Sequence, residues 1–321
     1  MRVGVYYSMA DGFGKLAVRL ADELKSHGLE VSTYSENVKV SSKQRDHRHC
    51  CSRLGWMLAQ DKLVLFGMPA IVEKINRLVD METILVSRPY RHHEVRYSQQ
   101  ASRVVTTLGQ WDDELKNFGC RSNHIPYASP FRMHRGKALS PKVTVTMVLD
   151  SGSIDLYEAL RICHFLISEM NVQMNVFRPS RVPSHLYRFM RALERMGAVV
   201  IDSRRQYHYR RLMTYSQSDL VVWPALSDTC EIVPIDAESC GTRVVLYENT
   251  AAMCELPVSD SFIRVKAPFD ERYFRHAVDP DRNLLKRTIQ EVDTLWRANS
   301  PSVSSSRSES EMMEKWLHVI L

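Results

Sequence analysis

The first 34 residues alternate in a way that leaves few folds open. Arg2–Tyr7 is a short, mostly apolar run, and Asp11-Gly12-Phe13-Gly14 follows it as a turn. Leu16, Val18, Leu20, Ala21 and Leu24 then supply the apolar face of a helix, and Gly28 stands at its expected stop. Glu30-Val31-Ser32-Thr33-Tyr34 opens the next strand. Strand, helix and strand within about 30 residues form a βαβ unit, which requires a right-handed crossover and a parallel sheet.

The alternation continues. Residues 62–66 read as an apolar strand closed by Gly67, 70–79 as a helix, and 83–86 and 103–106 as strands. Residues 88–97, with Pro89, His92 and His93, read as a loop at the carboxyl ends of these strands, the edge where doubly wound sheets bind ligands. Pro126, Pro130, Gly136 and Pro141 then interrupt the periodicity as a linker would. A second series follows. Strands are expected at 143–149, 172–177, 198–201, 219–223 and 243–247, and helices at 156–169, 185–196, 207–216 and 234–239. The simplest architecture is α/β, with two doubly wound Rossmann-like domains. Residues 1–130 form the first and 131–280 the second. Residues 281–321 hold closing helices at 284–296 and 311–321, which are free to pack back toward the first domain, and a Ser-rich stretch at 301–310.

Composition narrows the class. The 321 residues leave room for two cores, and 44% hydrophobic with 25% charged residues is the balance of a globular chain rather than a disordered one. No stretch approaches the roughly 18–20 apolar residues of a membrane span. The opening run is too short for a secretory signal. Seven dispersed cysteines, an odd number, do not suggest a disulfide framework, so reduced thiols and a cytoplasmic setting (host cytoplasm for a viral protein) are expected. His47, His49, Cys50 and Cys51 lack the second half of a zinc pattern, so no metal is expected. The net charge is +6, and 31 of the 43 basic residues are arginine. Guanidinium groups bind phosphate bidentately. A polyanionic ligand and ordinary surface ion pairs account for this equally well. Arg204-Arg205-Gln206-Tyr207-His208-Tyr209-Arg210-Arg211 interleaves cations with aromatics, which suits a nucleic-acid strand or a solvated basic face.

The richest stretch for chemistry is 218–245. A strand ends in Trp223-Pro224, a loop carries Asp228, a short helix begins near Pro234, and Cys240-Gly241-Thr242 turns into another strand. A helix N-terminus at such a place offers free N–H groups and a positive dipole end to a diphosphate. A carboxylate one or two turns further on can accept hydrogen bonds from sugar or ribose hydroxyls.

These residues resemble the donor site of GT-B retaining glycosyltransferases, above all the family 4 group with its Glu-x7-Glu signature followed by Ala-x-x-x-Gly-x-Pro-Val-Val. Here Asp228 and Asp236 hold that spacing, and Ala237, Gly241 and Val244-Val245 follow. The run 236–242, Asp-Ala-Glu-Ser-Cys-Gly-Thr, is also similar to phage DNA α-glucosyltransferases. Gly12-Phe13-Gly14 with the helix behind it, and 110–126 ending in Asn123-His124-Ile125-Pro126, resemble the start and end of that family's first domain.

The resemblance implies two domains facing across a cleft, with a nucleotide-diphosphate sugar (a UDP-sugar in first place) as donor substrate and no tightly bound cofactor. Asp228 would face the sugar hydroxyls and Asp236 the ribose. The backbone of Thr229, Cys230 and Glu231 would approach the diphosphate, and Gly12, Phe13 and Gly14 would close over it. His92 and His93 would act on the acceptor side beside Arg88 and Arg91. Arg205 and Tyr207 would contact a nucleic-acid acceptor. The family's diphosphate-binding Arg and Lys are missing, since 149–155 reads Leu-Asp-Ser-Gly-Ser-Ile-Asp. Arg178, Arg181, Arg204 and Arg205, at neighbouring strand ends, are the candidate substitutes. Glu231 would repel a diphosphate.

The implied activity is hexosyl or pentosyl transfer to an acceptor hydroxyl, with retention, and a hydroxymethylated base of bacteriophage DNA is one such acceptor. A nucleotide- or nucleic-acid-binding module without catalysis, and a nucleotide-sugar epimerase, are the alternatives.

Overall fold

The computed structural model describes residues 1–7, 13–35, 53–67, 69–87, 94–129, 142–149, 156–179, 182–202, 208–225, 232–247, 256, 261–265 and 308–321. The chain divides into two compact units, Met1–Tyr127 with Glu309–Leu321, and Ala128–Ser308.

In the first unit β1 (Arg2–Tyr7), α1 (Phe13–Ser26), β2 (Glu30–Ser35), α2 (Arg53–Leu58), β3 (Lys62–Phe66) and α3 (Pro69–Asn76) lead to β4 (Glu82–Val86). Then come α4 (Val95–Ser98), β5 (Arg103–Thr106), α5 (Gly109–Asn117) and β6 (Ser122–His124). Among the described residues these strands form one six-stranded sheet, ordered β2-β1-β3-β4-β5-β6, with every pairing parallel. The inner strands are near-continuous apolar runs, as strands of a parallel sheet covered on both faces are. Val3, Val5, Leu63, Val64, Leu65 and Ile84 have no exposed surface at all.

Helix α1 stops at Gly28, whose φ of 78° is left-handed. The Gly28 N–H donates to the Lys25 carbonyl and the Leu29 N–H to that of Leu24, which closes the C-terminus. At the other end the structure departs from the sequence reading. Phe13 and Gly14 are not a turn but the first residues of α1, and Gly14 is buried. First-turn N–H groups have no intrahelical partner in any case, so a glycine there does not break a helix whose apolar face begins at Leu16. Residues 94–98 likewise are not loop: Glu94 leads into α4.

The second unit runs β7 (Thr144–Val148), α6 (Leu156–Met170), β8 (Gln173–Arg178), α7 (Ser184–Arg195), β9 (Val199–Asp202) and α8 (His208–Ser216). It continues with β10 (Leu220–Trp223), α9 (Ile232–Ser239), β11 (Arg243–Tyr247) and β12 (Phe262–Val265). Its sheet is again parallel and, among the described residues, six-stranded, ordered β12-β11-β10-β7-β8-β9. Val145, Met147, Leu160, Cys163, Leu166 and Val176 pack as its core between sheet and helices.

The last element, α10 (Glu309–Ile320), belongs to the first unit. Trp316 is 1% exposed and lies with its ring centroid 5.9 Å from that of Phe66. Glu309 accepts from Arg19 Nε at 2.6 Å, and the Ile320 carbonyl accepts from Lys62 Nζ at 2.6 Å. A cation on the last carbonyls also suits the negative end of the helix dipole. Residues 47–51 and 284–296 lie outside the described residues. Among those described, no helix is long and apolar enough to cross a membrane.

Candidate functional site

In the second unit the chain winds outward in opposite senses from β7 and β10, which lie side by side. Ligands of open parallel sheets bind at the carboxyl ends of such a pair, where the strand order reverses. Those ends are Val148-Leu149 on β7 and Trp223-Pro224-Ala225 on β10. Polar contacts at the opposite, amino ends fix the register. Asp219 Oδ2 accepts from the Thr144 N–H at 2.8 Å, and the Asp219 N–H donates to the Thr144 carbonyl at 2.8 Å. Thr146 Oγ1 and Ser218 Oγ lie 2.7 Å apart, and Asn175 Nδ2 donates to Thr146 Oγ1 at 3.3 Å. All this polarity is buried or half-buried, so it must be paired, and the pairing admits one register.

Helix α9 carries Asp236 on its second turn. Every residue of this helix is buried, and Asp236 and Glu238 have no exposed surface. Ser239 Oγ donates to the Asp236 carbonyl at 2.7 Å, Thr242 Oγ1 to that of Tyr215 at 2.7 Å, and Cys240 Sγ to that of Leu212 at 3.5 Å. The last two bonds hold the end of α9 against α8. Burial pushes the Cys240 thiol up to about 12, and the neighbouring Asp236 carboxylate adds to the rise.

Arg178 is the last residue of β8, as the sequence reading requires of a cation near the site. Its Nη2 lies 2.7 Å from Asp202 Oδ2 at the end of the adjacent β9. Arg211, on α8, sits with Cζ 4.9 Å from the Phe177 ring centroid. Of the residues named from the sequence, Gly12, Arg88, Arg91, His92, His93, Arg181, Arg204, Arg205, Tyr207, Asp228, Thr229, Cys230 and Glu231 lie outside the described residues. Among the described residues no group of three His, Cys, Asp or Glu could hold a metal ion.

In the first unit the strand order reverses between β1 and β3, and α1 begins just beyond β1. An aromatic cluster near these strand ends escaped the sequence reading. Tyr6 and Tyr34 stack at 5.4 Å with an interplanar angle of 5°, and Trp56 lies 5.3 Å from Tyr34. Arg53 Nη1 donates to the Tyr6 hydroxyl at 3.2 Å. The available signal was the equivalent place of the two tyrosines in their strands, which the register pairs directly.

No protein-family model matches the chain, and no curated protein matches it in sequence. Solved structures do. WaaG, a glycosyltransferase involved in lipopolysaccharide biosynthesis, is 11% identical with a TM-score of 0.69, over 100% of this chain and 99% of that one. Sucrose-phosphate synthase from Thermosynechococcus elongatus is 10% identical with a TM-score of 0.66, over 100% and 98%. Anabaena Alr3699/HepE, solved with UDP and glucose, is 10% identical with a TM-score of 0.59, over 100% and 99%. The fold is GT-B. The likeness runs through both units of this GT-B chain, and at such identities it speaks for the fold alone.

Proposed function

We propose that this chain is a glycosyltransferase that moves a sugar from a nucleotide-diphosphate sugar to an acceptor hydroxyl. The observation that supports the proposal is the end-to-end GT-B likeness, combined with a strand-order reversal at β10, the strand that the Asp228–Asp236 segment follows in the sequence. In this reading Asp228 contacts the donor sugar, and the backbone at Thr229, Cys230 and Glu231 approaches the diphosphate. Asp236 serves the ribose. His92 and His93 serve the acceptor. The donor is a UDP-sugar in first place, because HepE was solved with UDP and glucose. The resemblance of the Asp228 and Asp236 spacing to the signature of retaining glycosyltransferases favours retention. For the acceptor, arginine-rich composition and the similarity of 236–242 to phage DNA glucosyltransferases favour a hydroxymethylated base in DNA.

The test is mass spectrometry of a nucleotide-sugar panel incubated with the protein, with and without modified duplex DNA, scoring nucleoside diphosphate release. Release that needs an acceptor is the expected result, and Asp228→Asn should lower it by about 10²-fold or more. A panel with no release under any condition would remove the proposal.

Two observations favour a second reading, a nucleotide-binding module without transferase activity. Arg178 is engaged by Asp202 rather than held open for a diphosphate, and Asp236 is fully buried. In that case UDP or ADP raises the unfolding temperature while no sugar nucleotide is consumed.

A further inference from the structure

The positive charge of the chain is concentrated in one place. Residues 178–211 hold nine arginines, no lysine and two acids, and the remainder of the chain carries 34 basic against 35 acidic side chains. Both acids of the segment already face an arginine: Asp202 faces Arg178, and Glu194 pairs with Arg191 at 2.9 Å. Its described residues include an edge of the second unit, since β9 is the terminal strand of the sheet among the described residues.

On α7 the apolar side of the helix is turned inward, with Leu186, Met190 and Leu193 buried. Arg188, Arg191 and Arg195 are exposed, at positions that share one helix face. They span about 10 Å of helix axis, a length over which one nucleic-acid strand presents about three phosphates. Tyr187, 47% exposed, lies under Arg191, with Cζ 5.3 Å from its ring centroid and Nη2 donating to its hydroxyl at 2.9 Å. On α8, Tyr209 and Arg210 are exposed as well.

We propose that the exposed face of α7 at this edge binds a nucleic-acid strand through its phosphates, as a surface separate from the donor site. Guanidinium forks match phosphate oxygens bidentately, and an exposed tyrosine beside a guanidinium gives a base a face to stack on. An anionic bilayer is the weaker fit. Its attraction would be electrostatic only, because the exposed positions of α7 carry no Leu, Ile, Phe, Met or Trp to insert.

The experiment is fluorescence anisotropy of the full chain with a labelled single-stranded oligodeoxynucleotide and with its duplex, across a salt series. Binding at low salt is expected. In Arg188→Gln/Arg195→Gln affinity should fall about tenfold or more, and the slope of log K against log salt should flatten by about 1.4 to 1.8. Arg77→Gln, on the exposed surface of the first unit, should bind as the unmodified chain does. The proposal is overturned if neither oligonucleotide binds at low salt, or if the double variant binds unchanged. It is equally overturned if vesicles containing phosphatidylserine bind while oligonucleotides do not. Donor turnover without nucleic acid, measured on the same double variant, tests the transferase proposal separately, so the two can fail independently.

Discussion

At the scale of single residues, Gly4 shows how closely the first unit is fitted. A Cβ there would stand 2.7 Å from Gln60 Cγ, 2.7 Å from Leu63 Cδ2 and 3.1 Å from Trp56 Cη2. Gln60 can swing away, but Leu63 is fully buried in the neighbouring strand. Gly4→Ala should therefore cost about 1–3 kcal/mol and lower the Tm, and an unchanged Tm would contradict the close approach. The thiols give a second expectation. Burial pushes Cys163 up to about 12 from an ordinary 9.0. The folded state thus holds this proton more tightly than the unfolded state does. That stabilisation is complete below pH 9 and is lost as pH rises toward 12. Denaturation curves between pH 8 and 11 should record the decline, and Cys163→Ala should reduce it. Peptide-level alkylation at pH 8 should leave Cys120, Cys163 and Cys240 unmodified in the folded chain, because all three are buried thiols. The sequence pointed to Asp236 by its spacing from Asp228, yet nothing in it told of full burial. A helix covered on every side has no polar face, so periodicity carries no signal there.

At the scale of elements, the docked helix α10 makes the clearest prediction. Trp316→Ala should destabilise the first unit by about 3–5 kcal/mol, since a large buried ring is removed. Glu309→Gln breaks a partly exposed ion pair and should cost about 1 kcal/mol or less. Equilibrium denaturation of the two variants checks the order, and a larger effect from Glu309→Gln would reverse the account. Asp219→Ala should cost the second unit about 1.5–3 kcal/mol and speed hydrogen exchange at the Thr144 amide. Strand and helix legibility followed from burial. Lys62–Phe66, Arg103–Thr106 and Arg243–Tyr247 matched the sequence reading to the residue, because an apolar run ending at a glycine or a polar residue leaves little latitude. Ser122–His124 did not show itself, because three polar residues on an edge strand pair through backbone alone. Arg53–Leu58 and Val95–Ser98 were missed because fewer than two helical turns show no period.

At the scale of the molecule, nucleotide binding should appear as stability. UDP or ADP at a hundred times its Kd should contribute about 2.7 kcal/mol to whichever unit holds it. A thermal scan in which neither moves the Tm would leave the nucleotide site without support. Turnover should be unaffected by EDTA, because the backbone and side chains proposed for the diphosphate require no ion. The return of residues 309–321 to the first unit has a consequence of its own. A ribosome releases residues 1–127 early, but the helix that covers Phe66 emerges only after residues 128–308. The unit begun first is therefore completed only after the second has been made, and the nascent chain must carry an uncovered apolar face throughout that synthesis.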